Sequence, residues 1–100
     1  MTRVRFHGAA LDELSKEVSY YAAVAASLGE RFVVAIENAT RLATDFPLMG
    51  VKYKYGTRRV FPKKFPFSLV YLVRDDEIYI LALAPFSKQP GYWRSRRHEA

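Results

Sequence analysis

The sequence holds no cysteine. Disulfide frameworks and thiolate metal sites are thereby excluded, and a reducing compartment, the cytoplasm, is the expected setting. Histidine is nearly absent, with His7 and His98 near opposite ends of the 100 residues. No spacing of His, Asp and Glu suits a metal ion, and neither histidine has a credible partner for a Ser-His-Asp arrangement. Five glycines and five prolines form no Gly-rich phosphate loop and no linker. No apolar run approaches the ~20 residues of a membrane span. The opening Met1-Thr2-Arg3-Val4-Arg5-Phe6 leads into no apolar signal-peptide core. The expectation is one domain over residues 1–100, without cofactor, metal or membrane partner.

Acidic residues are scarce in one half only. Residues 1–50 carry five basic and six acidic side chains, net −1, whereas residues 51–100 carry eleven and four, net +7. The whole sequence holds seven Tyr, seven Phe and one Trp. A concentrated positive field interleaved with aromatics favours a polyanion or an acidic protein partner. His7 reads as a strand-end surface residue and His98 as a tail residue.

Periodicity divides the chain. Residues 2–7 alternate, with Val4 and Phe6 on one face, as a half-buried strand requires. Residues 9–26 switch to helical spacing, with Leu11, Leu14, Val18, Tyr21 and Ala25 on one stripe. Ser27-Leu28-Gly29 reads as the break, because glycine closes helices in the left-handed conformation. A second helix, about Glu30 to Asp45, carries Phe32, Ile36, Ala39, Ala43 and Phe46, and Pro47 stops it. Residues 51–55 alternate as a strand, Gly56 imposes a bulge or sharp bend, and residues 58–61 resume. Residues 67–73 and 77–84 are almost wholly apolar strands joined at Asp75-Asp76. Pro85 ends the last of them, and Pro90 opens a short helix or turn. The fold class is therefore α+β in the order β-α-α-β-β-β-α, a helical hairpin packed on a mainly antiparallel four-stranded sheet.

Three basic segments lie on or beside the strands. Lys52 and Lys54 are one strand step apart, so both are expected to point to the same face. Arg58-Arg59 and Lys63-Lys64 flank Phe61-Pro62, and Lys88 precedes Tyr92, Trp93, Arg94, Arg96 and Arg97. The three are expected to converge on one side of the sheet. With no cysteine, no metal spacing and neither histidine placed for catalysis, chemistry on a polyanion falls to Arg, Lys and Tyr. RNA cleavage by its own 2′-hydroxyl needs a base, an acid and positive charge on the phosphate. Arginine supplies bidentate charge, a crowded lysine can serve as base, and tyrosine can stack on a nucleobase or move a proton. The same residues also suit binding without cutting.

The order of elements, with Ala10-Leu11-Asp12-Glu13-Leu14, Tyr20-Tyr21, Leu28-Gly29-Glu30-Arg31-Phe32, Phe65-Pro66-Phe67-Ser68-Leu69-Val70-Tyr71, Ile78 to Ala84 and Pro90-Gly91-Tyr92-Trp93, resembles the RelE/ParE superfamily of toxins of bacterial type II toxin–antitoxin modules, the plasmid-stabilisation type. That resemblance implies growth inhibition, restraint by a cognate antitoxin in a hetero-oligomer, and one of two targets. RelE-like members cleave mRNA on the ribosome without a metal, as an endoribonuclease; ParE-like members poison DNA gyrase without catalysis. Carried over by position, Arg59, Lys52, Lys54, Lys88 and Tyr92 are the candidate catalytic residues. Arg58, Lys63, Lys64, Arg94, Arg96 and Arg97 are the candidate nucleic-acid contacts, and Trp93 reads as core. One segment departs from the pattern. Many relatives place His and two Arg after the last strand, whereas this chain has Pro85-Phe86-Ser87-Lys88-Gln89. Ribosome-dependent cleavage is the first expectation; a gyrase inhibitor or a non-toxic decayed relative stays open.

Overall fold

The change from period-two to helical spacing is realised at His7. In the computed structural model, which describes residues 2–99, strand β1 (Arg3–Phe6) runs directly into helix α1 (Gly8–Val24). His7 is the cap: its Nδ1 accepts the Ala9 N–H at 2.9 Å, satisfying a donor that the first helical turn leaves open. Helix α2 (Ala26–Asp45) follows after the single extended residue Ala25. The break thus falls at Ala25, two residues before the expected Ser27-Leu28-Gly29, all of which lie inside α2. A Cβ at Gly29 would stand 2.8 Å from the Ala22 Cβ, so this glycine serves the close approach of the two helices.

The chain then forms β2 (Val51–Lys52), a 3-10 turn (Lys54–Gly56), β3 (Arg58–Val60), β4 (Phe67–Arg74), β5 (Glu77–Pro85) and a terminal 3-10 segment, Arg94–Glu99. The sheet has five strands in the order β1-β5-β4-β3-β2, with β1 parallel to β5 and the other pairs antiparallel. The extra strand arises because the bend at Tyr55 (φ 62°) and Gly56 (φ 76°) is sharp enough to fold residues 51–60 into a hairpin of their own. For the same reason Lys54 sits in the turn and does not share a strand face with Lys52.

The helical hairpin covers one face. Phe32, Ile36, Ala39 and Ala43 of α2 and Ala10 of α1 meet Val60, Phe67, Leu69, Tyr71, Ile78, Ile80 and Leu83. Three residues assigned to the stripes lie outside this core: Leu11, Ala25 and Phe46 are exposed, and Ala10 takes the inward position in α1. Tyr71 is wholly buried and donates from its hydroxyl to the Pro47 carbonyl at 2.7 Å. Gly50 leaves room for that hydroxyl, which lies 2.1 Å from where a Cβ would be.

The opposite face is also dry. Val70, Leu72, Tyr79, Leu81, Ala82 and Trp93 form a second core, with Tyr53, Ala84 and Tyr92 against it. A register shift opposite Val70/Tyr71 leaves Leu81 as an extra residue in β5, so Leu81 and Ala82 both join this second core. Burial on both faces explains why β4 and β5 read as continuous apolar runs rather than alternating ones. Among the described residues no helix is long and apolar enough to cross a membrane.

Candidate functional site

The strand register decides which basic residues meet. Arg59 pairs with Val70, which belongs to the second core, so Arg59 points to the C-terminal side of the sheet. Arg58 pairs with Tyr71 and points to the helical side, where its Nη1 donates to the carbonyls of Leu48 and Gly50, each at 3.0 Å. Lys52 lies opposite Arg58 in the β2–β3 ladder and therefore shares the Arg58 side. The expected convergence on one side of the sheet is thus corrected: alternation sends adjacent Arg58 and Arg59 to opposite faces, and Lys52 goes with Arg58.

A pocket of about 100 Å³ opens beside Arg59, lined by Tyr53, Ser68, Phe86, Lys88, Pro90 and Trp93 among others. The Arg59 guanidinium lies 3.9 Å from the Tyr53 ring centre and 5.0 Å from that of Phe61. Its Nη1 donates to Ser68 Oγ at 3.3 Å, while its buried Nε–H has no acceptor among the described residues. The Lys88 ammonium lies 4.5 Å from the Tyr92 ring centre. Phe61 and Phe86, both exposed, stand edge-on at 6.1 Å beside the pocket. Arg59 and Lys88 form no salt bridge among the described residues, so the pocket is cationic with an aromatic rim.

Tyr92 turns its hydroxyl elsewhere. It donates to Glu13 Oε2 at 2.7 Å, and the same carboxylate takes a two-pronged pair from Arg96, each contact 3.0 Å. Glu13 also accepts the Leu83 N–H at 3.1 Å, and Arg96 reaches the Leu81 carbonyl at 3.0 Å. These backbone groups lie on β5 beyond Ile80, where β1 has already ended. Side chains thus replace the missing neighbouring strand, as buried backbone polar groups require. Burial, and then the Glu13 carboxylate, push the Tyr92 phenol well above the ordinary range.

The remaining basic residues are dispersed. Arg94 and Arg97 stack on Tyr55, at 4.6 and 5.4 Å, and Arg97 also donates to the Tyr55 carbonyl at 3.0 Å. They hold the β2–β3 turn against the C-terminal segment, whose Trp93 is fully buried. Lys63 and Lys64 line a groove with Leu28, Arg31 and Phe65 at the start of α2. His7 contacts Glu99 through Nε2, so the strand-end histidine is a cap and a tether. Of the candidate catalytic residues, Arg59 and Lys88 share the pocket, Tyr92 borders it through its ring, and Lys52 and Lys54 do not line it. Sequence reasoning missed Tyr53, Ser68, Phe61 and Phe86. The alternation of residues 51–55 set Tyr53 apart from Lys52, but the pairing that brings it to Arg59 is tertiary.

Comparison with known proteins agrees with this architecture. A family model described as the ParE toxin of the type II toxin–antitoxin system, parDE, matches residues 4–90. Among solved structures, a chain of the chromosomal ParDE TA system from P. aeruginosa is similar, with a TM-score of 0.73 and 19% identity over 85% of this chain and 96% of that one. At that identity the fold is what the two share. No curated protein matches the chain.

Proposed function

We infer that this chain, which belongs to the ParE toxin family of type II toxin–antitoxin systems, is a growth-inhibiting toxin that acts by binding DNA gyrase and not by cutting RNA. The observation carrying this reading is the state of Tyr92. A proton-moving tyrosine must release or accept a proton near neutral pH, yet this hydroxyl is committed to a carboxylate and its acidity is suppressed. Lys52 on the opposite face cannot serve as a base for a phosphate held at Arg59 without a rearrangement of the sheet. What is left at the surface, two cations without an ion pair among the described residues and two exposed phenylalanines, suits a protein contact with a desolvated arginine at its centre. A cognate antitoxin, as the ParDE name implies, is the restraining partner. The expected outcome of induced expression without an antitoxin is growth arrest with gyrase-stabilised DNA breaks. Arrest with intact chromosomes would overturn this reading.

A second reading, ribosome-dependent mRNA cleavage, draws support from the Arg59–Lys88 pair beside stackable aromatic rings. Arg59 then stabilises the phosphate, and Lys52, Lys54 and Tyr92 act only after movement onto the substrate. Toeprinting on translating ribosomes separates the two: codon-specific stops during arrest support cleavage, and their absence supports gyrase binding.

A further inference from the structure

We propose that the Arg59 pocket is a socket for a single carboxylate side chain of a protein partner, the cognate antitoxin. The inference rests on reading this pocket as the toxin's working surface. Three features carry it. First, a guanidinium stacked on Tyr53 and beside Phe61 has lost much of its hydration, and Ser68 offers it only a neutral oxygen. Its Nε–H is buried without an acceptor among the described residues. A desolvated cation lacking a counter-charge gains most from an anion brought to it. Second, Lys88 adds another positive charge to the lining, and no acidic side chain among the described residues lines the pocket.

Third, the shape selects among anions. The space is about 100 Å³, walled by Pro85, Phe86, Pro90 and Trp93. A planar carboxylate at the end of a side chain enters such a space and matches the planar guanidinium fork. A phosphodiester is linked on both sides and needs an open basic track. The residues that would extend such a track are engaged or turned away: Arg58 and Lys52 lie on the other face, Arg96 holds Glu13, and Arg94 and Arg97 hold Tyr55. The exposed Phe61 and Phe86 beside the opening suit apolar residues flanking the acid in a peptide. An antitoxin segment with one acidic residue between apolar ones would neutralise the charge and cover the aromatic rim together.

The test follows the side-chain Nε–H resonance of Arg59 by NMR in the full chain. Three probes are titrated: an acetylated Leu-Glu-Phe amide, its Leu-Gln-Phe counterpart, and the dinucleotide UpU. The glutamate peptide is expected to shift the Arg59 signal, with the neutral glutamine peptide at least about tenfold weaker, which is ~1.4 kcal/mol. Lys88→Met, a change outside the core, should weaken the glutamate peptide and leave the glutamine peptide unchanged. Equal binding of the two peptides, no response at Arg59, or tighter binding of UpU overturns the proposal. These measurements involve neither growth nor gyrase. Loss of carboxylate binding therefore leaves the gyrase reading standing, and arrest without DNA breaks leaves the socket standing.

Discussion

One face of the sheet is closed by two helices of 17 and 20 residues, the other by a turn and a 3-10 segment of six. The helical face is sealed mainly by aliphatic and phenylalanine side chains that fill space, with the Tyr71 hydroxyl adding one directional contact to Pro47. The C-terminal face has too little chain to do that. It relies on one large residue, Trp93, and on directional contacts: Glu13 to Arg96 and Tyr92, and Arg94 and Arg97 on Tyr55. A face held by polar contacts can also expose charge, and the Arg59 pocket lies there. On the proposed reading, the face closed by packing alone carries stability, and the face closed by polar contacts carries stability and the working surface together.

That division can be tested first by truncating the centre of each face. Phe32→Ala and Trp93→Ala remove fully buried rings, and each should cost about 3–5 kcal/mol in denaturant unfolding. Their effects on the pocket should differ. At a temperature where both variants remain folded, Trp93→Ala should abolish growth arrest and Phe32→Ala should leave it measurable. Equal loss of activity per unit of stability would erase the distinction.

Next in size is the clamp. Glu13→Gln leaves Arg96 without its counter-charge at a site where both side chains are less than one-fifth exposed. The expected loss is about 2–4 kcal/mol, with faster hydrogen exchange at Leu83 N–H, whose acceptor is the Glu13 carboxylate. A change confined to the global midpoint, with no local exchange effect, would show that the carboxylate does not substitute for a strand.

Tyr92→Phe removes only the hydroxyl and should cost about 1–2 kcal/mol. It should also alter the alkaline behaviour. A tyrosine whose pKa is raised by folding holds its proton longer in the native state. Its contribution is complete below the unfolded value of about 10 and is lost as pH rises toward and through the folded value. The wild-type melting temperature should therefore fall as pH climbs past about 10. Burial raises Tyr71 in the same direction, so part of that fall persists in Tyr92→Phe. An unchanged alkaline profile in the variant would remove Tyr92 from the account.

The smallest stability effect belongs to the rim. Phe61→Ser at a residue 45% exposed should shift stability by no more than about 0.5 kcal/mol, yet weaken growth arrest. Full arrest would place the target contact elsewhere.

The elements were legible in the sequence wherever one face of a segment is dry and the other wet. Phe32, Ile36, Ala39 and Ala43 fall on the predicted stripe because a helix sealing a sheet must present apolar residues at every turn. The apolar runs of β4 and β5 marked both as strands, and the structure supplies the reason for the missing alternation, a sheet covered on both sides. The helix break was misplaced because glycine at 29 has two physical uses, ending a helix or admitting a neighbour, and local sequence does not say which. Leu11 was misassigned for a related reason: small Ala10 fits nearer the sheet than the larger residue beside it.

The candidate site was legible only in its ingredients. Composition pointed any chemistry on a polyanion toward Arg, Lys and Tyr, and alternation determined that neighbours in a strand face opposite ways. Which face each took depended on pairing between strands distant in sequence. One step of register decides whether Arg58 or Arg59 meets Trp93, and whether Lys52 joins or leaves the pocket. The Glu13–Arg96 pair spans 83 residues and leaves no periodic trace, because a helix surface tolerates a carboxylate there whether or not a partner arrives. Local backbone physics made the helices and strands of this protein; contacts between its ends made the cationic pocket and tied its tyrosine away from it.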